Sequence, residues 1–252
     1  ADVTVICNQP DGININDHCG STHLQQLQSA VVAQQADLGI AYDGDADRLL
    51  AVDEQGNVVD GDRLLLIFGS YLKEQGLLAE DTVVITVMSN MGLKIALKER
   101  GIQTLDTKVG DRYVIEGMKN SGAVLGGEQS GHIIFSKHAT TGDGILTALM
   151  LMEVILEKKQ SLGTLCRGMQ MYPQLLKNVK VEDKAAVTGN VHVQEEKERI
   201  STALGEDGRI LLRESGTEPV IRVMVEAQSD ELCAKYVDEM VQVIREEGLA
   251  VE

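Results

Sequence analysis

Between residues 82 and 159, short β-branched segments alternate with segments of helical periodicity. Strands are predicted at residues 82–87, 102–109 and 123–125, and helices at residues 90–100, 111–119 and 143–159. A strand followed by a helix and then by another strand is the repeating unit of a mostly parallel sheet covered by helices. This alternation therefore predicts an α/β fold for the middle of the chain.

The segment before this alternation is predicted to form a hairpin and a helix. Strands are predicted at residues 36–42 and 49–52, and Val58 and Val59 return along the second strand after a turn at residues 54–57. A helix follows at residues 61–75, with Asp60 as its cap. The chain also opens on an apolar strand pattern at residues 3–6.

The last third of the chain changes character around residues 167–173, where Tyr172-Pro173 is typical of a linker. Ser229 and Gly248 suit the two ends of the final helix. Beyond the linker, strands are predicted at residues 175–181, 209–213 and 220–226, and helices at residues 193–204 and 229–247. This order (βαββα) predicts a small α+β domain.

Composition excludes several classes of function. Of 252 residues, 43% are apolar and 25% are charged, as in globular proteins, and the net charge is −16. Nucleic-acid binding needs a basic surface, and an anionic membrane would repel this chain, so neither partner is expected. Any phosphate site must therefore be a local loop that supplies amide or basic groups.

The cysteines and the ends of the chain favour a cytoplasmic protein. No two cysteines have CxxC spacing, which argues against a zinc site or a disulfide scaffold. No apolar run reaches the ~18 residues of a membrane span. Because the chain begins without a signal peptide or a Met, we expect an excised fragment or a processed product. The cysteines are Cys7, Cys19, Cys166 and Cys233.

An acidic loop follows the first strand of the predicted hairpin. Asp43, Asp45 and Asp47 would repel one another unless a hard divalent cation such as Mg²⁺ or Ca²⁺ lay between them. Arg48 is expected to contact an anionic group that the metal also touches. An EF-hand is disfavoured, although Glu54 falls at its twelfth position, because Arg48 stands where that loop needs glycine. The plain alternative is a solvated acidic turn.

A glycine-rich loop spans residues 126–132. It does not match a dinucleotide-binding fingerprint, but its glycines let the backbone approach a ligand closely. Glu128 and Ser130 could bind sugar hydroxyls, and His132 could hydrogen-bond a substrate or relay a proton. A loop between two strands with capping residues is the alternative.

A third loop, residues 213–219, is the local anion site that the overall charge requires. Its consecutive hydroxyl and amide groups are typical of phosphate binding, and two flanking arginines could add charge-assisted hydrogen bonds. A hairpin turn with a surface arginine is the alternative. The predicted ligands are Arg213, Ser215, Gly216, Thr217 and Arg222.

In this order and spacing, the three loops resemble the α-D-phosphohexomutase superfamily. Residues 14–23 and 109–114, with Ala46 and Gln129, resemble its bacterial phosphoglucosamine mutases more than its phosphomannomutases or phosphoglucomutases. The resemblance implies mixed α/β sandwich domains followed by a small α+β, TBP-like domain. It places the end of a second domain at residues 1–57, a third at 58–170 and a fourth at 171–252.

The resemblance also implies a reaction. Glucosamine 6-phosphate and glucosamine 1-phosphate interconvert through a 1,6-bisphosphate and a phosphoserine, in the synthesis of UDP-N-acetylglucosamine and cell-wall precursors. The resemblance places that serine in a first domain absent from this sequence, since neither Ser21 nor Ser130 stands in a matching context. The resemblance also leaves open whether the longer protein forms a homodimer.

The same resemblance assigns roles to the candidate residues. Mg²⁺ would bind Asp43, Asp45 and Asp47 beside the reacting phosphate. Arg48 and His132 would be catalytic. Lys108 and Arg112 would bind the substrate together with the glycine-rich loop at residues 126–132, here called the sugar loop, and the loop at residues 213–219, here called the phosphate loop. All three loops are then expected to converge on one cleft. A phosphomannomutase or phosphoglucomutase, a non-catalytic phosphosugar-binding module and a phosphatase remain as alternatives.

Overall fold

The computed structural model describes residues 1–216 and 218–251, which form two units, Ala1–Gln170 and Met171–Glu252. The first helix of the first unit is α1 (Gln25–Gln34), which the sequence analysis did not predict. The predicted hairpin is confirmed as an antiparallel sheet in chain order. Its strands are β1 (Leu38–Tyr42), β2 (Leu49–Asp53) and β3 (Val58–Val59).

The strand predicted at residues 3–6 is wrong for this structure. These residues lie outside every strand of the described chain, and Val3 and Val5 are 71% and 63% exposed. An apolar alternation becomes a strand only when a neighbouring strand completes its backbone hydrogen bonds. Among the described residues, none pairs with this segment.

The middle of the chain forms the predicted sheet of mostly parallel strands, in the order β5-β4-β6-β7. The first three strands are parallel, and β7 runs antiparallel to β6. Here β6 begins at Leu125, two residues later than predicted, and β7 was not predicted. The strands are β4 (Thr82–Thr86), β5 (Gln103–Thr107), β6 (Leu125–Gly127) and β7 (Ile133–Phe135).

Helices cover this sheet, and all but a short one at residues 162–165 lie at the predicted positions. The Asp60 side chain accepts a hydrogen bond from the Arg63 amide, which confirms the predicted cap of α2. Phe68 of α2 is fully buried, and its ring meets the Phe135 ring edge-on at 4.9 Å. The helices are α2 (Gly61–Glu74), α3 (Met91–Glu99), α4 (Asp111–Ser121), α5 (Gly144–Lys158) and the short α6 (Leu162–Leu165).

The second unit is a three-stranded antiparallel sheet in the order β8-β10-β9, packed against two long helices. It matches the predicted βαββα order, with one additional short helix, α7. Ile221, Val223 and Val225 of the central strand are fully buried. The elements are β8 (Gln174–Lys180), α7 (Lys184–Gly189), α8 (Val191–Leu204), β9 (Arg209–Glu214), β10 (Val220–Glu226) and α9 (Asp230–Glu246).

The fold class is therefore the predicted one, an α/β unit followed by a small α+β unit. Across residues 1–216 and 218–251, each helix is too short or too polar to cross a bilayer.

Candidate functional site

The acidic loop between β1 and β2 brings its three carboxylates together. Asp43, Asp45 and Asp47 each offer an oxygen atom, and these atoms lie within 4.8 Å of one another. Ala46 adopts a left-handed backbone conformation, with φ of 60°, which turns the loop back on itself. The side chain of Asp43 also accepts a hydrogen bond from the Arg48 amide at 3.2 Å.

The local charges fit a hard cation. The Nε atom of Arg48 lies 3.5 Å from Asp43 Oδ2 and 3.7 Å from Asp47 Oδ1. Asp47 Oδ1 is buried, and no donor within the described part of the chain hydrogen-bonds to it. A buried carboxylate oxygen without a donor costs free energy, and a divalent cation held by three carboxylates would remove that cost.

His132 connects the sugar loop to the acidic loop. Its side chain is almost fully buried, and its Nδ1 atom lies 3.0 Å from Asp47 Oδ2. Its Nε2 atom accepts a hydrogen bond of 3.1 Å from the Gly142 amide. Both ring nitrogens are thus engaged within the protein, whereas the sequence predicts that this histidine contacts a substrate. Its predicted catalytic role stays a prediction.

The sugar loop between β6 and β7 packs directly onto β2. Gly131 has a φ of 93°, and its carbonyl accepts a hydrogen bond from the Leu49 amide at 3.0 Å. A Cβ atom at Gly131 would lie 2.2 Å from the Leu49 carbonyl oxygen. Glycine is therefore required where this loop meets the strand that follows the acidic loop.

The sugar loop also contacts the loop that precedes α4. Oε1 of Glu128 accepts a hydrogen bond of 3.0 Å from the Gly110 amide. Lys108 and Arg112, on either side of Gly110, are exposed, and Lys108 Nζ lies 5.9 Å from the centre of the Tyr113 ring. Ser130 is also exposed. The predicted sugar ligands therefore lie in a loop that adjoins the segment containing Lys108 and the first turn of α4, where Arg112 is located.

The phosphate loop lies in the second unit, between β9 and β10. Arg213 and Arg222 are directly opposite each other in the antiparallel ladder. Like charges in that position are unfavourable unless an anion lies between them. Burial, and next the charge of Arg222, lower the pKa of Arg213.

Ser215 is the buried centre of this loop. Its Oγ atom lies 3.4 Å from Arg222 Nη2 and accepts a hydrogen bond from the Glu218 amide at 3.3 Å. Arg222 Nε is buried and finds no hydrogen-bond acceptor in the described ranges. Gly216 is exposed, and Thr217 lies outside the described residues.

Lys184 is a basic residue of α7 that contacts this loop, and sequence reasoning missed it. Its Nζ atom donates a hydrogen bond of 2.8 Å to the Ser215 carbonyl. It sits at the start of α7, whose cap is Asp183. The cap followed by Ala185 and Ala186 is a recognisable helix start and could have revealed the helix.

An open cleft of about 480 Å³ in the first unit is lined by other residues. Asp53 lies on its wall, but both carboxylate oxygens accept hydrogen bonds within the turn at residues 53–57. Burial raises the pKa of Cys166, also on the wall, to about 12, so this thiol stays protonated. The chemistry of the three loops therefore makes them the stronger candidate.

Three family models match consecutive parts of the chain, all described as phosphoglucomutase/phosphomannomutase. Alpha/beta/alpha domain II matches residues 8–56, alpha/beta/alpha domain III matches residues 60–172, and the C-terminal domain matches residues 176–243.

Curated relatives share about half of their residues with this chain. The phosphoglucosamine mutase of Lachnoclostridium phytofermentans is 56% identical over 244 residues, which are 97% of this chain and 54% of the relative. That of Bacillus subtilis is 51% identical over 247 residues, 98% of this chain and 55% of the relative. The chain thus spans about half the length of the relatives it matches.

Solved structures share the fold. A phosphoglucomutase/phosphomannomutase family protein of Burkholderia thailandensis has a TM-score of 0.75 at 26% identity, covering 90% of this chain and 50% of its own. The N-acetylphosphoglucosamine mutase of Aspergillus fumigatus, solved with GlcNAc-6P and magnesium, has a TM-score of 0.73 at 20% identity. That match covers 91% of this chain and 57% of the fungal one.

Proposed function

We propose that this chain, which belongs to the phosphoglucomutase/phosphomannomutase family, supplies the metal, sugar and distal phosphate sites of a phosphoglucosamine mutase. The reaction would interconvert glucosamine 6-phosphate and glucosamine 1-phosphate through a 1,6-bisphosphate. Relatives named phosphoglucosamine mutase, 51% and 56% identical over nearly the whole chain, support this substrate. We assign the reaction to the bacterial cytoplasm, in keeping with four cysteines that are all unpaired.

The acidic loop is the observation that carries the proposal. Three carboxylates whose oxygens lie within 4.8 Å of one another, with the Nε atom of Arg48 3.5 Å from Asp43 Oδ2, suit a divalent ion that shares an anionic ligand with Arg48. When bound there, Mg²⁺ would neutralise charge on a transferring phosphoryl group. Asp43, Asp45 and Asp47 would hold it, and Arg48 would bind the same phosphoryl oxygens.

Glu128 and Ser130 would orient the sugar. The Gly110 amide donates a hydrogen bond to one carboxylate oxygen of Glu128. The other oxygen can accept hydrogen bonds from sugar hydroxyls. Ser130 is exposed at the tip of the loop and can donate or accept. Lys108 and Arg112 would attract the phosphate of the incoming substrate. Positioning of this kind supplies much of the rate in phosphoryl transfer, because the protein does little covalent chemistry itself.

The loop around Ser215 would hold the phosphate that does not react. Arg222 has a buried Nε atom without an acceptor in the described chain, and Arg213 lies opposite it. A phosphate between the two guanidinium groups would satisfy that donor and offset their repulsion. Ser215, Gly216 and Thr217 would complete the ligand set. Because the bisphosphate carries a phosphate at each end, one such clamp would serve both halves of the reaction.

A reconstitution assay tests the proposal. The chain would be mixed with, or joined to, the part of the Bacillus subtilis relative that it does not match, and glucosamine phosphate isomerisation would be followed by ³¹P NMR. We expect turnover that needs both parts and Mg²⁺. Release of inorganic phosphate by the chain alone would instead favour a phosphatase. Phosphosugar binding without turnover in either arrangement would favour a binding module.

A further inference from the structure

His132 lies between the acidic loop and the segment that leads into α5. Its ring is 3% exposed, with Nδ1 3.0 Å from Asp47 Oδ2 and Nε2 3.1 Å from the Gly142 amide nitrogen. A Cβ atom at Gly142 would lie 2.5 Å from the ring. The absence of a side chain at Gly142 therefore lets the ring pack against the backbone.

The two hydrogen bonds define the tautomer of His132. The Gly142 amide can only donate, so Nε2 must be the acceptor and carries no hydrogen. The hydrogen of the neutral ring is then on Nδ1 and is donated to Asp47 Oδ2. The Asp47 carboxylate can only accept, so it also requires the hydrogen on Nδ1, and the two contacts agree on the tautomer.

We propose that His132 is a positioning residue that holds Asp47 for the cation. Its Nδ1–H group occupies Asp47 Oδ2, and the buried Oδ1 atom, which has no hydrogen-bond donor in the described ranges, is left for the metal. Removal of a residue that orients a metal ligand through a hydrogen bond commonly weakens metal binding by about 10–100-fold. This inference rests on the cation site of the proposed function.

A second contact supports the same function of this segment. The Gly144 amide donates a hydrogen bond of 2.9 Å to the Ala46 carbonyl, within the acidic loop itself. The segment that ends at α5 therefore supports the loop at two points, through the Ala46 backbone and through the His132 ring.

Two variants of His132 test the hydrogen bonds of its two ring nitrogens separately. In His132→Asn the side-chain amide nitrogen is attached to Cγ, as Nδ1 is, so it can still donate to Asp47. In His132→Gln the amide is one bond further out, so it can accept from Gly142 but leaves Asp47 without its donor. His138→Gln, at an exposed histidine outside the site, is the matched control.

We use Mn²⁺ to measure metal binding, because it takes the same oxygen ligands as Mg²⁺. The concentration of free Mn²⁺ is measured by electron paramagnetic resonance. We expect His132→Gln to weaken Mn²⁺ binding about 10–100-fold, and His132→Asn and His138→Gln to stay within about threefold of wild type. Thermal unfolding and circular dichroism establish that each variant is folded. ¹⁵N NMR of the imidazole in the wild-type protein, which needs no variant, should show hydrogen on Nδ1 and none on Nε2.

The outcomes are distinguishable. Equal Mn²⁺ affinity of folded His132→Gln and wild type, or a hydrogen on Nε2 of the wild-type ring, would overturn the positioning role and leave the cation site standing. Absence of Mn²⁺ binding to the wild-type chain would overturn the cation site, and the positioning role with it.

Discussion

The carboxylate of Glu128 accepts a hydrogen bond from the backbone amide of Gly110, at 3.0 Å, and so connects two loops of the first unit. Glu128→Ala should free that amide, whereas Glu128→Gln keeps an acceptor oxygen in the same place. A hydrogen bond to a charged group contributes about 1.5–3 kcal/mol, so exchange of the Gly110 amide should become at least about tenfold faster in the alanine variant only.

Hydrogen–deuterium exchange resolved at Gly110 measures this effect. Both variants should also bind glucosamine 6-phosphate more weakly, since both lose the charge that would accept from sugar hydroxyls. Equal exchange rates in the alanine and glutamine variants would show that the hydrogen bond does not hold the loop.

Asp45→Asn should weaken cation binding without unfolding the protein. Asp45 is exposed and lies in the cluster of three carboxylates, so its loss removes a ligand while relieving repulsion between like charges. We expect Mn²⁺ affinity to fall at least about tenfold, or ~1.4 kcal/mol, with the melting temperature unchanged or slightly raised. Asp37→Asn, at another exposed aspartate, is the control and should bind as wild type does.

Arg222→Lys should impair anion binding by the second unit. Lysine keeps the charge but loses the planar pair of donors that suits phosphate. Inorganic phosphate should raise the melting temperature of the wild-type chain through preferential binding to the native state, and the rise should be at most about half as large in the variant. Arg199→Lys, in an exposed ion-pair cluster of the same unit, should respond as wild type does.

Glu218→Gln should have the opposite effect on the same measurement. The Glu218 carboxylate lies 3.3 Å from Arg222 Nη2 and therefore competes with an incoming anion. Its neutralisation should strengthen phosphate binding. A smaller phosphate-dependent rise in melting temperature than that of wild type would contradict an anion site at Arg222.

Gly131→Ala should destabilise the junction between the sugar loop and β2. The added Cβ would lie 2.2 Å from the Leu49 carbonyl oxygen, at a φ of 93°. We expect a loss of about 3 kcal/mol or more in the free energy of unfolding. Gly76→Ala has a similarly positive φ but open space around it, so it should cost only about 1–2 kcal/mol. Urea denaturation compares the two, and equal losses would mean that backbone strain alone matters at Gly131.

The ion pair between His192 and Glu247 should make stability depend on pH. A hydrogen bond from His192 to Glu247, and next the charge of Glu247, raise the pKa of His192. Its stabilising contribution is thus complete below about pH 6.5, the usual pKa of histidine, and is lost as the pH rises through the higher folded value. The melting temperature of wild type should exceed that of His192→Gln at pH 5.5, and the difference should shrink by pH 9. A difference that grows with pH would contradict this assignment.

The sequence predicted elements whose signal is local. Val83, Val84 and Ile85 are fully buried in β4, as an uninterrupted β-branched run indicates for a parallel strand. The caps Asp60 and Ser229 accept from the expected backbone amides. The elements that were missed have weak local signals: α1 carries four glutamines in its ten residues and has no side-chain cap, and β7 is only three residues long.

The contacts of the candidate site were less predictable than its residue types. His132 and Asp47 are 85 positions apart, and the histidine could be read equally well as a substrate ligand. Only the fold shows that both ring nitrogens are engaged and that the sugar loop rests on β2. The Lys184–Ser215 hydrogen bond is also a tertiary contact that residue spacing does not reveal.

The left-handed conformation of Ala46 has a consequence for how the acidic loop would take up an ion. Its backbone is held on both sides, by Ala46 N–H to Asp43 and by Gly144 N–H to Ala46. The carboxylates are therefore gathered before any ion arrives, and little chain entropy would be lost on binding. The selectivity of the loop would then depend mainly on how readily each ion gives up its hydration water. Mg²⁺ loses its water molecules reluctantly, whereas Ca²⁺ accepts a more flexible set of ligands.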